Sequence, residues 1–309
     1  MTDRSGDGEG SMGPDLAEIT SERRHLLRLA YRLLGSAADA EDVLQETYLR
    51  WYSLSPAQQQ AIRSPGAWLT TVASRLCLDL LGSARVRRER YVGEWLPEPL
   101  PGPTELAQAW PSGHLDPAEH VTLDESIHMA FLVVLDSLTP AERVAFVLHD
   151  VFRYPFSEIA GIVGRSPEAC RQLAASARRR IRATETAPTP TREQAAVVRA
   201  FKDAWRSHDI EALVELLDPR ATAVADGGGR ATAQLHPVTG ARSIARTLVG
   251  IGAADVTLTE QTVNGQPGLV AEAEGVATTV IAFDIAGRRI RSIWVVRNPE
   301  KLRLWQPRT

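Results

Sequence analysis

The sequence predicts a multidomain protein in which two all-α units, the second with a helix-turn-helix, precede an α+β domain. Apolar residues recur at helical spacing as far as residue 183, and a proline-rich segment interrupts this pattern between residues 91 and 117. Runs rich in β-forming residues follow only after residue 217. Because strands that come as a block are typical of α+β domains, we expect the last domain to carry an antiparallel sheet.

The composition excludes several classes of protein. The 309 residues carry a formal net charge of −3, so a nucleic-acid site would need locally concentrated positive charge rather than a uniformly basic surface. Cys77 and Cys170 lie far apart inside apolar helical patterns, which indicates reduced core residues rather than a metal site. No signal peptide or membrane span is predicted. We therefore expect a cytoplasmic protein without a cofactor or a metal.

Proline-rich and polar segments divide the chain into units. The N-terminus is polar and glycine-rich, which is typical of disorder, and the prolines between the units favour extended, semi-stiff linkers. The predicted parts are a disordered leader at 1–14, a first helical unit at 15–90, a linker at 91–117, a second helical unit at 118–184, a short linker at 185–191 and the α+β domain at 192–309.

The first helical unit carries an acidic face. Leu26, Leu29 and Leu33 mark the buried side of a first helix, which Gly35 is expected to end. A second helix begins near Ser36 or a following aspartate, either of which can cap it. This helix presents either a solvated surface or a binding site for a basic partner through Asp39, Glu41, Asp42, Gln45 and Glu46.

A later helix of the same unit ends in positive charge. Ser64 and Pro65 form its predicted entry, and Trp68 lies on its apolar side. Trp68 and Trp51 either belong to the core or support unstacked single-stranded bases. The arginines at the helix end either favour the helix dipole or contact phosphate, and they are Arg85, Arg87, Arg88 and Arg90.

The second helical unit contains the strongest local signal. Thr139 and Pro140 predict a helix start, and further along the chain Ser157 is expected to cap a short helix that ends in a tight turn at Gly164. Ser166 then caps a second helix. Helix, glycine turn and capped helix form the helix-turn-helix layout, in which the N-terminal residues of the second helix face base edges in the major groove.

Charge supports a nucleic-acid interpretation of this unit. Between residues 161 and 183 there are six arginines and one acidic residue. Arg165, Arg171 and Gln172 are placed to read base edges, whereas Arg178 and Arg179 come two turns later and are better placed for phosphate. An arginine-rich helix end that only satisfies terminal carbonyls is the alternative. The candidate DNA-binding residues are Arg165, Ser166, Glu168, Arg171, Gln172, Arg178 and Arg179, with Arg85, Arg87, Arg88 and Trp68 from the first unit.

The α+β domain is predicted to start with one or two helices at about residues 192–217. The strands follow as the runs 221–226, 255–263, 269–285 and 289–297, with turn signals NGQPG and AGRR between the later runs. An Asp and His pair within hydrogen-bond reach would supply a general base, although such residues more often stabilise turns and cores. Polar groups that could line a pocket in this domain are Trp205, Asp226, His236, Trp294 and Arg297.

Taken together, these segments resemble the extracytoplasmic-function sigma factors of bacterial RNA polymerase. DAEDVLQETYLRWY is similar to the core-binding helix of sigma domain 2, and PGAWLTTVASRLCLDLLGSARVRR is similar to its promoter-melting helix. Residues 135–181 are similar to sigma domain 4, and the resemblance extends over residues 16–183. WLPEP, DGGGR and NPEKL resemble the signature segments of a subgroup with a SnoaL-like C-terminal extension, a cone-shaped α+β domain.

The resemblance implies a sigma factor that binds core RNA polymerase, recognises promoter DNA, initiates transcription and is regulated by its own extension. It places the acidic residues of the second helix on the polymerase and the candidate DNA-binding residues on the promoter. We expect no enzymatic activity and a monomer when the chain is free, and we leave open a small ligand in the extension. Two positions depart from the family pattern, namely Ser176, where a basic residue is common, and Glu300, where Asp is usual.

Three successive glycines in DGGGR allow the backbone to lie flat against another surface, so we expect this loop to dock against WLPEP with Trp95 as an aromatic anchor. The predicted docking residues are Trp95, Leu96, Pro97, Glu98, Pro99, Asp226, Gly227, Gly228, Gly229, Asn298, Pro299 and Lys301. The alternative function is a DNA-tethered isomerase or cyclase, in which the pocket of the extension is catalytic and the sigma activity is secondary.

Overall fold

The predicted order of two helical units and an α+β domain is confirmed in the computed structural model, which describes residues 16–88, 91–102, 106, 127–183, 189–251 and 256–307. The predicted leader lies outside the described residues, as does most of the stretch between 103 and 126. The helices are α1 (Leu16–Leu34), α2 (Ala37–Tyr52), α3 (Pro56–Ala61), α4 (Pro65–Arg88), α5 (Met129–Asp136), α6 (Pro140–Phe146), α7 (Phe156–Val163), α8 (Pro167–Arg182), α9 (Thr191–Arg206), α10 (Ile210–Leu216) and α11 (Ala241–Ile251).

Helix ends in the first helical unit follow local chemistry. Gly35 adopts a left-handed φ of 69° directly after α1, as its position predicts. Ser36 rather than Asp39 caps α2, because the Ser36 hydroxyl accepts a hydrogen bond of 3.1 Å from the Asp39 N–H. α4 begins at Pro65, as predicted. The short α3 was not predicted, and it begins with a capping box formed by Ser55 and Gln58.

The helix-turn-helix forms in the second helical unit. Thr139 caps α6 with a capping box, and α6 continues into a π-helical turn over Val147–Val151. Gly164 ends α7 with a φ of 70°, and Ser166 caps α8 through a bond of 3.2 Å from the Ala169 N–H. The prediction that Ser157 caps α7 is wrong, because α7 already begins at Phe156 after an extended proline.

The two helical units share one hydrophobic core. Buried residues of α1, α2 and α4 form a single cluster with buried residues of α6, α7 and α8. Hydrogen bonds also cross between the units: the Arg143 guanidinium donates to the Leu33 carbonyl at 3.0 Å, and Thr70 lies 3.0 Å from the Tyr154 hydroxyl. The units therefore pack as one body in this arrangement.

The α+β domain contains a six-stranded sheet in the order β2-β1-β6-β5-β4-β3. The expected antiparallel sheet is mixed, because β1 and β6 pair in parallel while all other neighbours are antiparallel. The chain passes through α11 to β3, at the opposite edge of the sheet from β2. From β3 to β6 each strand pairs antiparallel with the one before it, so β6 comes to lie beside β1 and parallel to it. The strands are β1 (Leu217–Asp226), β2 (Val238–Thr239), β3 (Thr257–Val263), β4 (Gln266–Ala273), β5 (Val276–Ala286) and β6 (Arg289–Val296).

Two features of this domain differ from the sequence prediction. The run 269–285 is two strands rather than one, because the chain turns at Glu274 and Gly275, which have φ values of 51° and 77°. The helix α11 was not predicted, although Ile244, Ala245 and Leu248 give it a buried face at helical spacing.

Both faces of the sheet are covered. One face packs on α9, α10 and α11 and forms a core of its own. The other face contributes Val270, Val280 and Trp294 to a separate cluster that includes Leu96 of the linker and Met129 of α5. The sheet thus lies between its own helices and a layer formed by the linker and the second helical unit. None of the helices in the described ranges is long and apolar enough to cross a membrane.

Candidate nucleic-acid interface and interdomain junction

One side of α8 is exposed and carries several of the candidate DNA-binding residues. Cys170, Ala174 and Ala177 are buried on the opposite side, so the amphipathic pattern orients the helix. The exposed residues at and before its N-terminal end are Arg165, Ser166, Glu168, Arg171 and Gln172. This is the end of the second helix that faces base edges in a helix-turn-helix.

The arginines of α8 have different surroundings. The Arg171 guanidinium lies 5.5 Å from the centre of the Phe156 ring, a cation–π contact that leaves the side chain exposed. Arg178 forms a two-bond ion pair with Asp150, at 2.7 and 3.2 Å, so a phosphate contact by Arg178 would require this pair to open. Arg179 is exposed.

On α4, the candidate Trp68 is partly covered by neighbouring helices. Trp68 packs on the shared core, and its ring centre lies 5.3 Å from that of Trp51. The Arg75 guanidinium donates a hydrogen bond of 2.8 Å to the Gly161 carbonyl of α7. The last turns of α4 contain Arg85, Arg87 and Arg88, whose side chains lie outside the described part of the chain.

The acidic face of α2 is directed towards solvent. Asp42 and Gln45 are exposed, whereas Asp39 is partly covered. Glu41 and Glu46 form ion pairs with Arg23 and Arg50, at 3.2 and 2.8 Å. Sequence reasoning missed two exposed apolar residues on this helix, Leu49 and Tyr52, which retain 64% and 65% of their accessible surface.

Asp226 is the centre of the junction between the linker and the α+β domain. Its side chain is fully buried at the end of β1. One carboxylate oxygen accepts a hydrogen bond from the Tyr91 hydroxyl at 2.6 Å, and the other accepts from the Leu96 N–H at 2.9 Å and pairs with Lys301 at 2.7 Å. The buried carboxylate is thus satisfied by one cation and two linker groups.

The C-terminal segment closes around the same linker residues. Lys301 lies 4.2 Å from the centre of the Trp95 ring and also donates to the Leu96 carbonyl. Asn298 caps the 3₁₀ helix Pro299–Trp305 and donates at 2.8 Å to the Tyr91 hydroxyl. Burial raises the pKa of that hydroxyl well above its ordinary value, and the bond to the carboxylate adds to this effect. Trp305 donates its indole N–H to the Pro99 carbonyl at 2.8 Å.

The glycine loop lies directly against the linker. A side chain at Gly228 would clash with the Asn298 amide, and its φ of 59° already favours glycine. A Cβ at Gly229 would come within 3.1 Å of Val92. Gly227 packs against the backbone of its own loop, at Ala231. The close approach of Asn298, Val92 and Ala231 thus leaves little room for a side chain at the three glycine positions.

The opposite side of the linker contacts the first helical unit. The Glu98 carboxylate accepts a hydrogen bond of 2.7 Å from the Ala37 N–H, the first residue of α2. The Glu98 backbone donates to the Gly35 carbonyl at 2.7 Å and accepts from the Tyr31 hydroxyl at 2.8 Å. Burial raises the pKa of the Glu98 carboxyl, against the opposing effect of hydrogen bonds from the α2 N-terminus. Pro97 packs against Gly35.

Asn264 was predicted only as a turn residue, yet it joins three parts of the molecule. It is fully buried at the turn between β3 and β4. Its side-chain oxygen accepts from the Leu100 N–H at 3.0 Å, while its amide donates to the Tyr31 hydroxyl at 2.9 Å and the Ile127 carbonyl at 2.8 Å. One side chain therefore holds the linker, α1 and the start of the second helical unit.

The catalytic alternative for the α+β domain is not supported by the geometry. Asp226 is occupied by the linker, His236 is exposed, and Trp294 lies in the cluster on the outer face of the sheet. Of the polar pocket candidates, Trp205 and Arg297 line a cavity. Within the described residues, no group of three or more His, Cys, Asp or Glu side chains could hold a metal ion.

Comparisons with known proteins cover the whole architecture. The Sigma-70 region 2 family model matches residues 19–87, and the Sigma-70, region 4 model matches residues 128–181. The chain is 37% identical over 307 residues to the ECF RNA polymerase sigma factor SigJ of Mycobacterium tuberculosis, covering 93% of both proteins. It is 36% identical over 296 residues to the probable ECF RNA polymerase sigma factor SigI of the same species, covering 94% of this chain and 95% of SigI.

A solved structure shows the same arrangement of parts. The crystal structure of the M. tuberculosis extracytoplasmic function sigma factor SigJ aligns with a TM-score of 0.72 and 33% identity, covering 93% of this chain and 98% of that one. The two family matches enclose most of the first helical unit and nearly all of the second, whereas the α+β domain is covered by the full-length relatives.

Proposed function

The chain belongs to the extracytoplasmic-function sigma factors, and on this premise we propose that its α+β domain regulates initiation by holding the linker against the first helical unit. Sigma factors bind core RNA polymerase and promoter DNA, and members of the family direct the polymerase to promoters and are not enzymes. The proposal rests on the buried Asp226 carboxylate, which accepts hydrogen bonds from the Tyr91 hydroxyl and the Leu96 N–H and also pairs with Lys301.

The strength of this contact supports a regulatory role. Removing one partner of a buried ion pair leaves an uncompensated charge and typically costs about 3–5 kcal/mol. Lys301 is only 12% exposed, so the Asp226 pair is largely shielded from solvent. Trp95 adds a cation–π contact to the same lysine. We infer that the docked linker is a defined state rather than a loose association.

The linker transmits this state to α2. Glu98 of the linker receives the first N–H of α2, and α2 carries the acidic residues that we assign to polymerase binding. Charge complementarity between such a helix and a basic partner increases the rate and specificity of association. A change in linker docking would therefore alter the N-terminal end of the proposed polymerase-binding helix.

The contact between the helical units supports restraint rather than activation. α4 resembles the promoter-melting helix, and its Arg75 is bonded to Gly161 of α7. A surface that packs on α7 is not available to DNA, so promoter opening requires the units to separate. By contrast, Arg171 and Gln172 of α8 are already exposed. We infer that the docked state leaves promoter reading by α8 open and restrains the first helical unit.

Covalent attachment makes this mechanism efficient. A regulatory domain on the same chain acts at an effective concentration that reaches the millimolar range for short connections. Docking therefore needs no separate inhibitor protein. Because it is intramolecular, its strength is independent of the amount of protein in the cell.

Run-off transcription with purified core polymerase tests the proposal. Asp226→Asn removes the charge while keeping the shape of the side chain, so the linker contact weakens and we expect a several-fold rise in specific transcript. Asp203→Asn, on the exposed side of α9, is the matched control and should behave as the wild type. Polymerase binding is measured in parallel to separate restraint from altered assembly.

Limited proteolysis shows whether the linker is released in Asp226→Asn. If it is released and the transcript yield is unchanged, regulation by docking is contradicted. A fall in yield with intact polymerase binding would mean that docking aligns the helical units instead of restraining them. If the wild-type chain supports no specific initiation at all, the assignment of the helical units to polymerase and promoter binding is contradicted.

A further inference from the structure

The α+β domain contains a cavity, partly open to solvent, that the docking contacts do not use. Its volume is about 320 Å³, and it lies between the inner face of the sheet and the helices α9 and α11. Small-molecule sites in proteins typically measure roughly 300–1,000 Å³. At the ~30 Å³ that a water molecule occupies in the liquid, this space has room for about ten non-hydrogen atoms.

The walls of the cavity are largely apolar. Ile244, Leu248 and Ile281 line it together with the ring of Trp205. The Trp205 indole N–H already donates to the Leu248 carbonyl at 2.9 Å, so the tryptophan contributes apolar surface and no unsatisfied donor. Such walls favour an aliphatic or aromatic body over a sugar or a nucleotide.

Arg297 is the charged residue among those that line the cavity. One end of its guanidinium donates to the Thr232 carbonyl, but its Nε is shielded from solvent and has no hydrogen-bond partner within the described chain. None of the described lining residues is acidic, so the described part of the cavity wall supplies no counter-charge. The shielded Nε therefore does not face the cavity, but a guanidinium has five N–H donors and binds carboxylates with matched geometry, so a ligand can use those that the Thr232 carbonyl does not.

We propose that this cavity binds a small monocarboxylate, with its carboxylate on Arg297 and its apolar body against Trp205, Leu248 and Ile281. The ligand is a linear or aromatic acid of about ten non-hydrogen atoms, the size set by the cavity volume. The described lining residues include no Asp, Glu, His, Cys, Lys or Tyr that could act as general acid or base. The site therefore binds the acid without converting it.

Isothermal titration calorimetry of the full-length chain with sodium octanoate tests the proposal. Octanoate should bind with one saturable site per chain. Octanamide has the same shape without the charge and should bind about tenfold to a hundredfold more weakly, because a charge-assisted bond is lost. This comparison uses only the wild-type protein, and it reports binding rather than transcription, so it is independent of the regulatory proposal.

Two variants locate the site. Arg297→Gln should weaken octanoate binding by about tenfold or more, whereas Arg288→Gln, in the exposed turn between β5 and β6, should leave it unchanged. Ala223→Leu fills the cavity from β1 and should abolish binding while circular dichroism remains that of the wild type.

Three results would overturn the proposal. They are the absence of saturable binding of octanoate and of benzoate at millimolar concentration, equal affinities for octanoate and octanamide, or full affinity in both Arg297→Gln and Ala223→Leu. The first excludes the ligand class, the second excludes recognition of the charge, and the third places the bound acid elsewhere on the chain.

Discussion

At the scale of single residues, Asp226 and Asn264 determine how the linker lies. Both side chains are fully buried and hold groups from other parts of the chain: the Asp226 carboxylate accepts through its two oxygens, whereas the Asn264 amide accepts through its oxygen and donates through its nitrogen. A buried polar group that loses its partner costs about 1–3 kcal/mol, so alternative docking positions are disfavoured even where their apolar contacts are similar. These two residues specify one geometry more than they add stability.

Arg171 is the residue at which DNA reading can be tested most directly. If it reads a base edge, Arg171→Ala should reduce discrimination between promoter sequences by about 1–3 kcal/mol. Binding to duplexes that differ in the upstream promoter element measures this. Arg179→Ala is the matched control, because loss of a phosphate contact should weaken binding to all sequences alike. Unchanged relative affinities for Arg171→Ala would contradict its role in base reading.

At the scale of elements, α2 combines three features on one short helix. The linker residue Glu98 and the neighbouring Ser36 satisfy N–H groups at its N-terminal end. Its acidic face is directed to solvent, and the exposed Leu49 and Tyr52 follow at its C-terminal end. Negative charge at a helix N-terminus is favoured by the helix dipole, so the linker stabilises the helix that it contacts.

Reversing one charge on this helix tests its proposed partner. Asp42 is exposed, so Asp42→Arg should weaken binding to core polymerase in a pull-down assay without loss of helicity. Asp203→Arg places the same change on the exposed side of α9 and should bind as the wild type. Wild-type binding by Asp42→Arg would count against the acidic face as the polymerase site.

At the scale of the whole molecule, the two helical units and the α+β domain are joined through buried contacts. The helical units share one core, and the outer face of the sheet shares a second cluster with the linker and α5. His25 lies at the contact between the units, with its Nε2 3.0 Å from the Tyr154 hydroxyl. Separation of the units would break this contact and expose His25 to solvent.

The pH dependence of stability reports on that contact. Burial, together with the charges of Arg28 and Arg32, lowers the pKa of His25 from 6.5 to about 4. The unfolded chain therefore binds a proton on His25 more tightly than the folded chain does. The stability contributed by neutral His25 is present above the pKa of the unfolded chain, and it is lost as the pH falls towards the pKa of the folded chain. Between about pH 7 and about pH 5 we expect a loss of about 2 kcal/mol in unfolding free energy.

Urea unfolding of variants at the two pH values measures this loss. His25→Gln removes the titrating group, so its unfolding free energy should fall by about 2 kcal/mol less than that of the wild type over the same range. The exposed His236→Gln should retain the wild-type dependence. If the unfolding free energies of His25→Gln and the wild type depend equally on pH, protonation of His25 does not destabilise the folded chain.

Part of the candidate site could be predicted from the sequence. The exposed end of α8 follows from Gly164, Ser166 and the spacing of apolar residues around them. The segments that meet at the junction were also expected to do so, on their resemblance to a known subgroup. The partners within the junction were not foreseen, because Tyr91 and Asn264 look like ordinary linker and turn residues in the sequence.

The sequence by itself determined several helix ends, among them Gly35, Pro65, Gly164 and Ser166, together with the helix-turn-helix, the strand-forming runs and the family resemblance, because caps, turns and apolar periodicity depend on residues only a few positions apart. The tertiary structure decided the parallel pairing of β1 with β6, the pair between Arg178 and Asp150, and the position of Asn264. These contacts join residues from 28 to 233 positions apart. Their formation depends on strand register and burial, which only the packed chain defines.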